Sequence, residues 1–378
     1  MDLLMPGRSG SGGGPSVESC RNGRTGTDGF DRSTLLPFGN GSITGNVTAE
    51  RELEVGPDWY FLANPSGTTY NEVLRTGGDN QLWIQGVTGS DFPPASRSNT
   101  NLFTFDETAD VAVLSDPGSW TVPSDMANTA TRGTGFIVFP FSDDDNDGNP
   151  DGFSKAIDNV ASPPLSSSFT FSVSATERGG DSNSQIDDEE GWNLLGNPYL
   201  TNIDWNQLNR TDIDDAVYVY EPLGGYKTYN GTDQNLDPPT FESDGIIAPF
   251  QAFFVKVSNG TSPSPSLSID DITTVQSTNE NDTFRKSGSE QESRLLSLNL
   301  SLQDAATNTR FTFRRDGAIG KDPADAYQLD PPFRNRETVE LYTVQESGNG
   351  FDINNLPYEI TDQIEIPLSA SAAGMRRL

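Results

Sequence analysis

The stretch of this chain best suited to chemistry is an acidic loop of nine residues in its first half. Aspartates recur at alternate positions of the loop, and a glycine among them permits a sharp bend. Carboxylates spaced in this way can converge on one hard cation. Because the stretch offers oxygen ligands and neither His nor Cys, its donor set selects Ca²⁺ over transition metals. The predicted Ca²⁺ ligands are Asp143, Asp145, Asp147, Asn149 and Asp151.

The acidic loop departs from the EF-hand pattern at one important position. The twelfth position of an EF-hand loop is a bidentate acid, whereas the twelfth residue counted from Asp143 is Ser154. The stretch also resembles the Asp-rich calcium loops of thrombospondin type 3 repeats. Those loops usually come in arrays, and this chain carries one copy. Two interpretations therefore stay open, a structural Ca²⁺ site and a solvated acidic loop.

Composition excludes several kinds of catalytic site. The 378 residues include no histidine and one cysteine, Cys20. Without imidazole there is no Ser-His-Asp or Cys-His site and no His-ligated zinc, and one cysteine allows no internal disulfide. A pair of carboxylates could hydrolyse a glycoside without histidine, but no spacing singles out such a pair among 55 acidic residues. We therefore expect a chain that is not an enzyme.

Aromatic side chains are the other candidates for a binding surface. An exposed ring can stack on the face of a pyranose sugar, which would suit an extracellular polysaccharide as ligand. The alternative is that the rings fill small hydrophobic cores, and the sequence leaves both interpretations open. The candidate ligand-binding rings are Trp83, Trp120, Trp205, Tyr226 and Tyr229.

The charge balance limits the partners. With 24 basic and 55 acidic residues, the formal net charge is −31, which repels nucleic acid and anionic membranes. Only five basic residues are Lys. High Asp with low Lys resembles halophilic proteins, which work in strong salt where charges are screened over a few ångströms; the alternative is an ordinary acidic extracellular protein. The acidic run Asp187–Glu190 is expected to be solvated, and no apolar stretch approaches the roughly 20 residues that would insert into a membrane.

Two stretches of one pattern organise the chain. Trp59–Pro65 and Trp192–Pro198 both read Trp-x-φ-Leu-x-Asn-Pro, where φ is apolar, and they lie 133 residues apart. Trp, Phe, Tyr and Leu favour a strand that is at least half-buried. Asn then opens a turn through its side chain, and Pro ends the strand because it has no N–H for the ladder. Each stretch predicts a strand that ends in a fixed turn, with a Trp in the core; the alternative is a Trp-lined ligand site.

The same order of elements continues after each motif. Phe103 and Tyr218 occupy matching positions of alternating strands 115 residues apart, and Phe136 and Phe253 occupy matching positions of apolar strands 117 residues apart. Because the order is kept while the spacing drifts, we predict a duplicated domain with diverged loops rather than a solenoid. The separation between matching positions falls from 133 at the Trp motif to 115 at the next strand, so the first copy contains the longer insertions.

The C-terminal part predicts a further β-sandwich. Its strands are short, alternate in hydrophobicity and are separated by turn residues, as in sandwich domains. The first of them alternates strictly, so that its leucines face one way. The strands predicted in this part span residues 295–302, 310–313, 326–329, 339–344 and 363–366.

These patterns predict an all-β chain with two homologous, sandwich-like β modules followed by a further β-sandwich. The N-terminal residues are rich in Gly, Ser, Arg and Asp, which is typical of a disordered leader, and they have no apolar core of a signal peptide. The expected order is a leader at 1–44, module 1 with the acidic loop at 45–178, module 2 at 185–270, a polar linker at 271–292 and a sandwich, complete or incomplete, at 293–372.

Several stretches resemble a recurrent β module of large secreted surface proteins of the type IX secretion pathway. The resemblance covers about residues 45–370 and implies an exported, surface-associated chain that is non-catalytic in this region. Members of that family usually end in a C-terminal sorting domain, which is not found in this sequence, so a fragment is expected. The matching stretches are Gly191–Tyr199, Ile203–Trp205, Val217–Tyr220, Gly225–Tyr226 and Ile246–Lys256.

The functional expectation is a fragment of an exported surface or extracellular-matrix protein with a structural or adhesive role, stabilised by Ca²⁺. Its expected partners are extracellular polysaccharide or cell-surface components, with no nucleic acid and no membrane insertion. The alternative is an accessory, glycan-binding region of a larger secreted hydrolase. Both place the chain outside the cell or on its outer surface.

Overall fold

The computed structural model shows a chain built almost entirely of β-strands in several sheets, as the sequence predicts. None of the helices that it describes is long and apolar enough to cross a bilayer. The predicted leader, the acidic loop and the polar linker lie outside the described residues. The structure describes residues 46–54, 58–75, 82–96, 98–109, 117–140, 153–161, 168–178, 185–222, 225–231, 245–260, 263–270, 294–302, 305–330, 338–345, 348–360 and 363–373.

Module 1 consists of β1 (Asn46–Glu54), β2 (Tyr60–Ala63), α1 (Tyr70–Arg75), β3 (Leu102–Phe105), a 3₁₀ turn (Pro117–Ser119), β4 (Trp120–Thr121), β5 (Gly135–Val138) and β6 (Phe153–Ala161). Its main sheet is antiparallel with the order β2-β5-β3-β4, and β1 pairs with β6 in a separate ribbon. The helix α1 starts at a capping box, in which the Glu72 N–H donates to Thr69 Oγ1 (3.2 Å) and the Thr69 N–H donates to Glu72 Oε2 (2.9 Å).

Module 2 consists of β7 (Phe169–Thr170), β8 (Trp192–Gly196), β9 (Ile203–Asp204), a 3₁₀ turn (Trp205–Gln207), β10 (Asn209–Thr211), β11 (Ile213–Glu221), β12 (Gly225–Tyr229), β13 (Ile246–Ile247), β14 (Ala252–Val257) and β15 (Ser266–Ile269). Its main sheet has the order β8-β14-β11-β12, beside the small sheets β10-β15-β7 and β9-β13. Strand β7 lies in the range that the sequence assigns to module 1. It joins module 2 because Phe169 and Phe171 pack into the core of that module.

The two main sheets have the same strand order and the same register. Leu62 lies opposite Phe136 in module 1, and Leu195 lies opposite Phe253 in module 2. These pairs are related by the shifts of 133 and 117 seen in the sequence. The pairing of β3 with β5 and of β11 with β14 agrees under the shifts of 115 and 117. The order and spacing predicted from the sequence are therefore reproduced by the hydrogen-bonded partners.

The two Asn-Pro turns are also alike. Asn64 and Asn197 are fully buried. Each side-chain oxygen accepts a hydrogen bond from the backbone N–H two residues further on, at 3.1 and 2.9 Å. Each side-chain amide donates to the carbonyl four residues further on, at 3.0 and 2.8 Å. The predicted role of Asn as turn opener is thus confirmed at both positions.

The modules bind each other through reciprocal contacts. The Ala63 N–H donates to the Phe250 carbonyl (2.9 Å), and the Gly196 N–H donates to the Gly133 carbonyl (3.0 Å). Ala63 and Gly196 are equivalent under the shift of 133, and Gly133 and Phe250 are equivalent under the shift of 117. Each module therefore donates one of these hydrogen bonds and accepts the equivalent one, as in an interface with two-fold symmetry.

Equivalent residues also face each other directly across this interface. A Cβ added to Gly196 would lie 2.4 Å from the Cβ of Ala63, and a Cβ added to Gly135 would lie 2.7 Å from the Cβ of Ala252. Gly135 and Ala252 are again equivalent under the shift of 117. At both places one module has Gly where the other has Ala, which lets the two sheets approach closely.

The C-terminal sheet comprises β16 (Arg294–Leu302), β17 (Ala305–Arg314), β18 (Ala326–Tyr327), β19 (Thr338–Val344), β20 (Gly350–Pro357) and β21 (Leu368–Ala373). Its order is β16-β17-β20-β19-β21, with β18 paired to β20. The strand predicted at 363–366 is wrong, since these residues are irregular and the last strand starts at Leu368. The sequence missed β20, which pairs parallel with β17 and antiparallel with β19.

Three hydrophobic clusters hold these sheets together. One fills module 1 and also includes Leu200 and Phe250 of module 2, and one lies in module 2. The third, here called the shared core, joins both modules to the C-terminal sheet. Trp59 and Trp192 both lie in the shared core. Their rings contact matching partners, Phe103 at 5.7 Å and Tyr218 at 5.2 Å. The C-terminal sheet thus packs on module 2 in a sandwich-like arrangement.

Candidate functional site

Two of the five candidate rings lie inside module 2. Trp205 is fully buried, its Nε1 donates to the Asp215 carbonyl (2.7 Å), and the guanidinium of Arg210 covers its ring at 4.6 Å. Tyr229 is also buried, and its hydroxyl accepts a hydrogen bond from Asn206 Nδ2 (2.7 Å). Neither ring offers a face to a sugar, so the core-filling interpretation describes both.

Two further rings lie in the shared core. Trp120 is buried and Tyr226 is partly buried. Both contact the ring of Phe61 edge-on, at 6.1 and 5.8 Å, and Tyr226 also meets Tyr220 at 5.2 Å. These contacts give Trp120 and Tyr226 a packing role between the modules.

Trp83 is partly exposed like Tyr226, but unlike Tyr226 it belongs to none of the three hydrophobic clusters. It belongs to a segment in which Leu82 and Ile84 are buried while Trp83 and Gln85 reach solvent, the alternation of an extended chain. The Trp83 ring lies 5.7 Å from that of Phe92, which is also partly exposed. Gln85 borders an open depression of about 270 Å³, whose lining comprises Gln85, Ser96, Ser98 and Asn99. The structure therefore leaves Trp83 partly exposed, two residues from Gln85 at the border of a polar depression.

A second concentration of polar groups, here called the junction cluster, lies where module 2 meets the C-terminal sheet. At its centre, Asp188 accepts hydrogen bonds from the Tyr327 hydroxyl, from Asn349 Nδ2 and from Asn259 Nδ2. Burial opposes the ionisation of Asp188, but these hydrogen bonds and the charge of Lys321 outweigh it and hold the pKa of Asp188 below its usual value. Asp188 is therefore a hydrogen-bonding centre that connects two sheets.

The junction cluster also contains a buried lysine. Lys256 is fully buried, and its Nζ donates to the Val257 carbonyl (2.7 Å) and to Asn259 Oδ1 (2.8 Å). Burial lowers the pKa of Lys256 to about 8, against the opposing effect of nearby Asp214. Asp214 is itself buried and accepts a hydrogen bond from Lys321 Nζ (2.8 Å). Lys321 and Asp214 thus form an ion pair inside the cluster.

Two buried glutamates fasten the segment that runs between the modules. Glu107 of module 1 accepts a hydrogen bond from the Thr176 N–H (2.7 Å), and Glu190 accepts one from the Arg178 N–H (2.7 Å). The expectation of a solvated acidic run is therefore wrong for Glu190, which is buried. Sequence spacing could not separate these carboxylates from the other acidic residues, because their partners are backbone groups distant in the chain.

A third buried carboxyl group lies in the turn before β18. Asp325 is fully buried and accepts hydrogen bonds from the N–H groups of Asn355 (2.6 Å) and Asp322 (2.7 Å). Burial, reinforced by the negative charge of Asp322, raises the pKa of Asp325 to about 7. This carboxyl group therefore changes its charge near neutral pH.

The junction cluster contains groups that catalysis uses, namely a lysine with a lowered pKa and several carboxylates. Lys256 is enclosed, however, and its hydrogen bonds run to groups of the protein itself. This geometry suits a joint between two sheets better than a site open to a substrate. Within the part of the chain that the structure describes, no three His, Cys, Asp or Glu side chains converge as ligands for a metal.

The comparisons with known proteins identify a family. Residues 77–378, roughly four fifths of the chain, match the model of a family described as a domain of unknown function, DUF8693. The chain belongs to the DUF8693 family. No curated protein and no solved structure matches it. The DUF8693 match starts just after α1 and runs through β3 to β6, the whole of module 2 and the C-terminal sheet. It therefore extends beyond one module but leaves out β1, β2 and α1.

Proposed function

We propose that this DUF8693 chain is a non-catalytic, structural or adhesive part of an exported surface or matrix protein. The observation that carries the proposal is the use of ionisable groups at the junction cluster. Lys256, Asp188 and Asp214 bind groups on neighbouring elements of the protein. A catalytic site would instead present such groups to a substrate in a cleft.

Aromatic contacts between the sheets support this role. Phe61 of module 1 stacks on Tyr220 of module 2, with ring centroids 4.7 Å apart and planes inclined by 22°. Trp192 of module 2 meets Tyr327 of the C-terminal sheet at 5.6 Å. Because these rings pack in one shared core, separating the sheets would expose large apolar surfaces to water. A body of fixed shape suits a spacer or scaffold on a cell surface.

The proposal includes export, a Ca²⁺-stabilised acidic loop and adaptation to strong salt. Export is supported by the resemblance to the secreted modules, and salt adaptation by the net charge of −31. In low salt, repulsion between unscreened carboxylates should destabilise the fold. We therefore expect the Tm to fall on dialysis to very low salt. An unchanged Tm would remove salt adaptation from the proposal.

Location and attachment test the main proposal. With an antibody against the purified chain, we expect labelling of intact source cells and loss of the signal after external protease treatment. Deletion of the coding sequence should reduce attachment of the cells to surfaces or matrix. Recovery of the chain from the cytoplasm alone would overturn the proposal, and so would turnover of chromogenic glycosides by the purified chain.

A second candidate function is an accessory, glycan-binding region of a larger secreted hydrolase. The observation that favours it is the partly exposed pair of Trp83 and Phe92, together with the polar depression that Gln85 borders two residues after Trp83. The reading frame on either side of the chain separates the two candidates. An adjoining catalytic domain would support the second, and adjoining repeats or a sorting domain would support the first.

We also propose that modules 1 and 2 arose by duplication of one unit. The support is the common register, the matching turns at Asn64 and Asn197, and the reciprocal hydrogen bonds between the modules. An experimental structure in which the two main sheets differ in strand order or register would end this proposal.

A further inference from the structure

We propose that residues 82–96 and 98–99 of module 1, which belong to its inserted segment, form a binding site for a neutral polysaccharide, with Trp83 as the stacking ring. This site would be the means by which the chain performs the adhesive function proposed above. The inference rests on that function, because it places the chain where such polymers occur. Three independent features support it: the place of the segment in the duplicated plan, the rigid support of Trp83, and the chemistry of the depression beside it.

The segment is what module 1 has and module 2 lacks. Trp59 and Phe103 are 44 residues apart, whereas their counterparts Trp192 and Tyr218 are 26 residues apart. The extra 18 residues lie between the Asn-Pro turn and β3, in the stretch that contains Trp83. Loops carried on a rigid scaffold are the usual place for binding functions. The insertion in module 1 is therefore a suitable place for a binding function that module 2 does not share.

A buried asparagine holds the backbone directly after Trp83, on both sides of Ile84. Asn101 Nδ2 donates to the Trp83 carbonyl and to the Phe139 carbonyl, both at 2.9 Å. Asn101 Oδ1 accepts a hydrogen bond from the Gln85 N–H, also at 2.9 Å. The segment is thus fixed to the main sheet by one side chain. A ring presented on a fixed backbone loses little conformational entropy on binding.

An ion pair supports the segment from the helix side. Arg75 of α1 contacts Asp91 at 2.6 Å, and the second oxygen of Asp91 accepts a hydrogen bond from the Ile84 N–H (3.0 Å). The side chain of Ile84 is fully buried in the core of module 1. Trp83 and Gln85 therefore project from a segment whose alternate residues are anchored in the interior, which preorganises the site.

The groups around the depression suit an uncharged sugar. Trp83 and Phe92 offer ring faces or edges to the apolar face of a pyranose, and amide and hydroxyl groups can both donate to and accept from sugar hydroxyls. The net charge of −31 disfavours polyanionic polymers. Because the depression is open, it suits the side of a polymer chain rather than an enclosed monosaccharide. The lining groups among the described residues, which leave out Arg97, are uncharged: Gln85, Ser96, Ser98 and Asn99.

One glycine shapes the depression. Gly86 has a φ of +74°, and a Cβ at this position would lie 2.4 Å from the Asn99 carbonyl oxygen. Only glycine adopts this left-handed conformation without strain and also leaves room for the backbone of Asn99. The close approach brings Asn99 next to Gln85 at the border of the site.

Affinity electrophoresis and titration calorimetry with the full chain test the inference. The probes are dextran, laminarin, mannan and xylan, with alginate as the polyanionic comparison. We expect at least one neutral polymer to bind and alginate not to bind. W83A should weaken that binding about tenfold or more, equivalent to about 1.4 kcal/mol, and W83F should retain much of it because the ring is kept. V122A, which shortens an exposed apolar side chain elsewhere in module 1, should bind as the parent does.

The inference is overturned if no neutral polymer binds, if alginate alone binds, or if W83A binds as tightly as the parent chain. Thermal unfolding of each variant shows whether the fold is kept. If W83A unfolds early, Q85A and N99A replace it, and unchanged binding by both would also overturn the inference. A chain found on the cell surface that binds no polysaccharide removes this site alone, whereas a cytoplasmic location removes the adhesive function.

Discussion

Phe250 and Gly133 adopt the same left-handed backbone conformation at equivalent positions of the two modules. Their φ angles are 60° and 81°, and each carbonyl accepts a hydrogen bond from the opposite module. Glycine adopts this conformation without strain, whereas for other residues the conformation costs about 1–2 kcal/mol of free energy. Phe250 offsets this cost because its side chain is buried in the core of module 1. A strained residue of one module thus anchors it in the interior of the other.

The first prediction concerns this anchor. Replacing Phe250 by Gly relieves about 1–2 kcal/mol of backbone strain but removes a buried phenyl ring, which usually costs about 3–5 kcal/mol. We therefore expect F250G to lower the free energy of unfolding by about 1–4 kcal/mol, measured by chemical denaturation. A variant as stable as the parent chain would show that the ring contributes little to the interface.

The second prediction concerns the facing pair Ala63 and Gly196. G196A alone should destabilise the chain by about 1–3 kcal/mol, because the new methyl group overlaps the Cβ of Ala63 and approaches the Thr134 carbonyl oxygen at 2.9 Å. A63G alone should cost up to about 1 kcal/mol. In the exchanged double variant A63G/G196A the methyl group changes sides, so part of the loss should be recovered.

A double-mutant cycle measures this recovery. We expect the double variant to be more stable than the sum of the single effects by about 1 kcal/mol or more, as for residues in contact. Strictly additive effects would contradict the close approach of the two sheets at these positions. G135A and A252G, at the second facing pair, provide an independent repeat of the cycle.

The sequence predicts the main sheets well because their signals are local and occur twice. The Trp-x-φ-Leu-x-Asn-Pro pattern marks a strand and its turn, and the shifts of 133, 115 and 117 relate the hydrogen-bonded partners of one sheet to those of the other. The reciprocal interface was not predicted. Its contacts involve Ala, Gly and backbone groups, which have no distinctive pattern in the chain.

Strand β20 was missed for a different physical reason. It lies in the middle of its sheet, yet it contains Asn354 and Asn355, both buried. Asn354 Nδ2 donates to Thr343 Oγ1 (3.1 Å), and Asn355 Nδ2 donates to Asp322 Oδ2 (3.0 Å). Buried amides whose partners lie elsewhere in the chain make a central strand look like a loop in a hydrophobicity pattern. The junction cluster escaped notice for the same reason, since its hydrogen bonds join residues far apart in the sequence.

The third prediction concerns pH. The pKa of an aspartate is about 3.9 in an unfolded chain, and burial raises that of Asp325 to about 7. Because the pKa of Asp325 is higher in the folded chain than in the unfolded chain, protonated Asp325 stabilises the fold. This stabilisation is fully present below about pH 4 and is lost as the pH rises through about 7. Between these values the free energy of unfolding should fall by up to about 1.4 kcal/mol per pH unit from this group.

Denaturation curves between pH 5 and pH 8 check this sign. We expect the parent chain to lose stability as the pH rises and D325N to show a shallower dependence. Burial also raises the pKa of Asp352 to about 7, so the variant should lose part of the pH dependence and not all of it. An identical slope in D325N would contradict the assignment to Asp325.

The fourth prediction concerns metal removal at the acidic loop. If Asp145 and Asp147 bind Ca²⁺, the ion stabilises the folded chain by mass action, by about 2.7 kcal/mol at a concentration of 100 Kd. We expect calorimetry to detect Ca²⁺ binding below millimolar concentration, and a chelator to lower the Tm. D145N/D147N should abolish both effects. Absence of binding by the intact chain up to millimolar Ca²⁺ would leave the solvated-loop interpretation.

The last prediction tests the joint between module 2 and the C-terminal sheet. Asp188 accepts three side-chain hydrogen bonds, from Tyr327, Asn349 and Asn259. An amide has only one accepting atom, so D188N directs an NH₂ group at donors and leaves them unsatisfied. We expect a loss of about 2–4 kcal/mol in the free energy of unfolding for D188N, and about 1–2 kcal/mol for Y327F, which removes one donor.

D270N is the matched control for this experiment, because Asp270 is exposed and the same change there should stay within about 0.5 kcal/mol. Limited proteolysis adds a readout of the joint itself, since a weakened joint should release the C-terminal sheet from module 2 before either unfolds. If D188N is no less stable than D270N and is cleaved at the same rate, Asp188 does not hold the sheets together. In that case the ionisable groups of the junction cluster would be free for another role, and the structural function proposed for this chain would lose its main support.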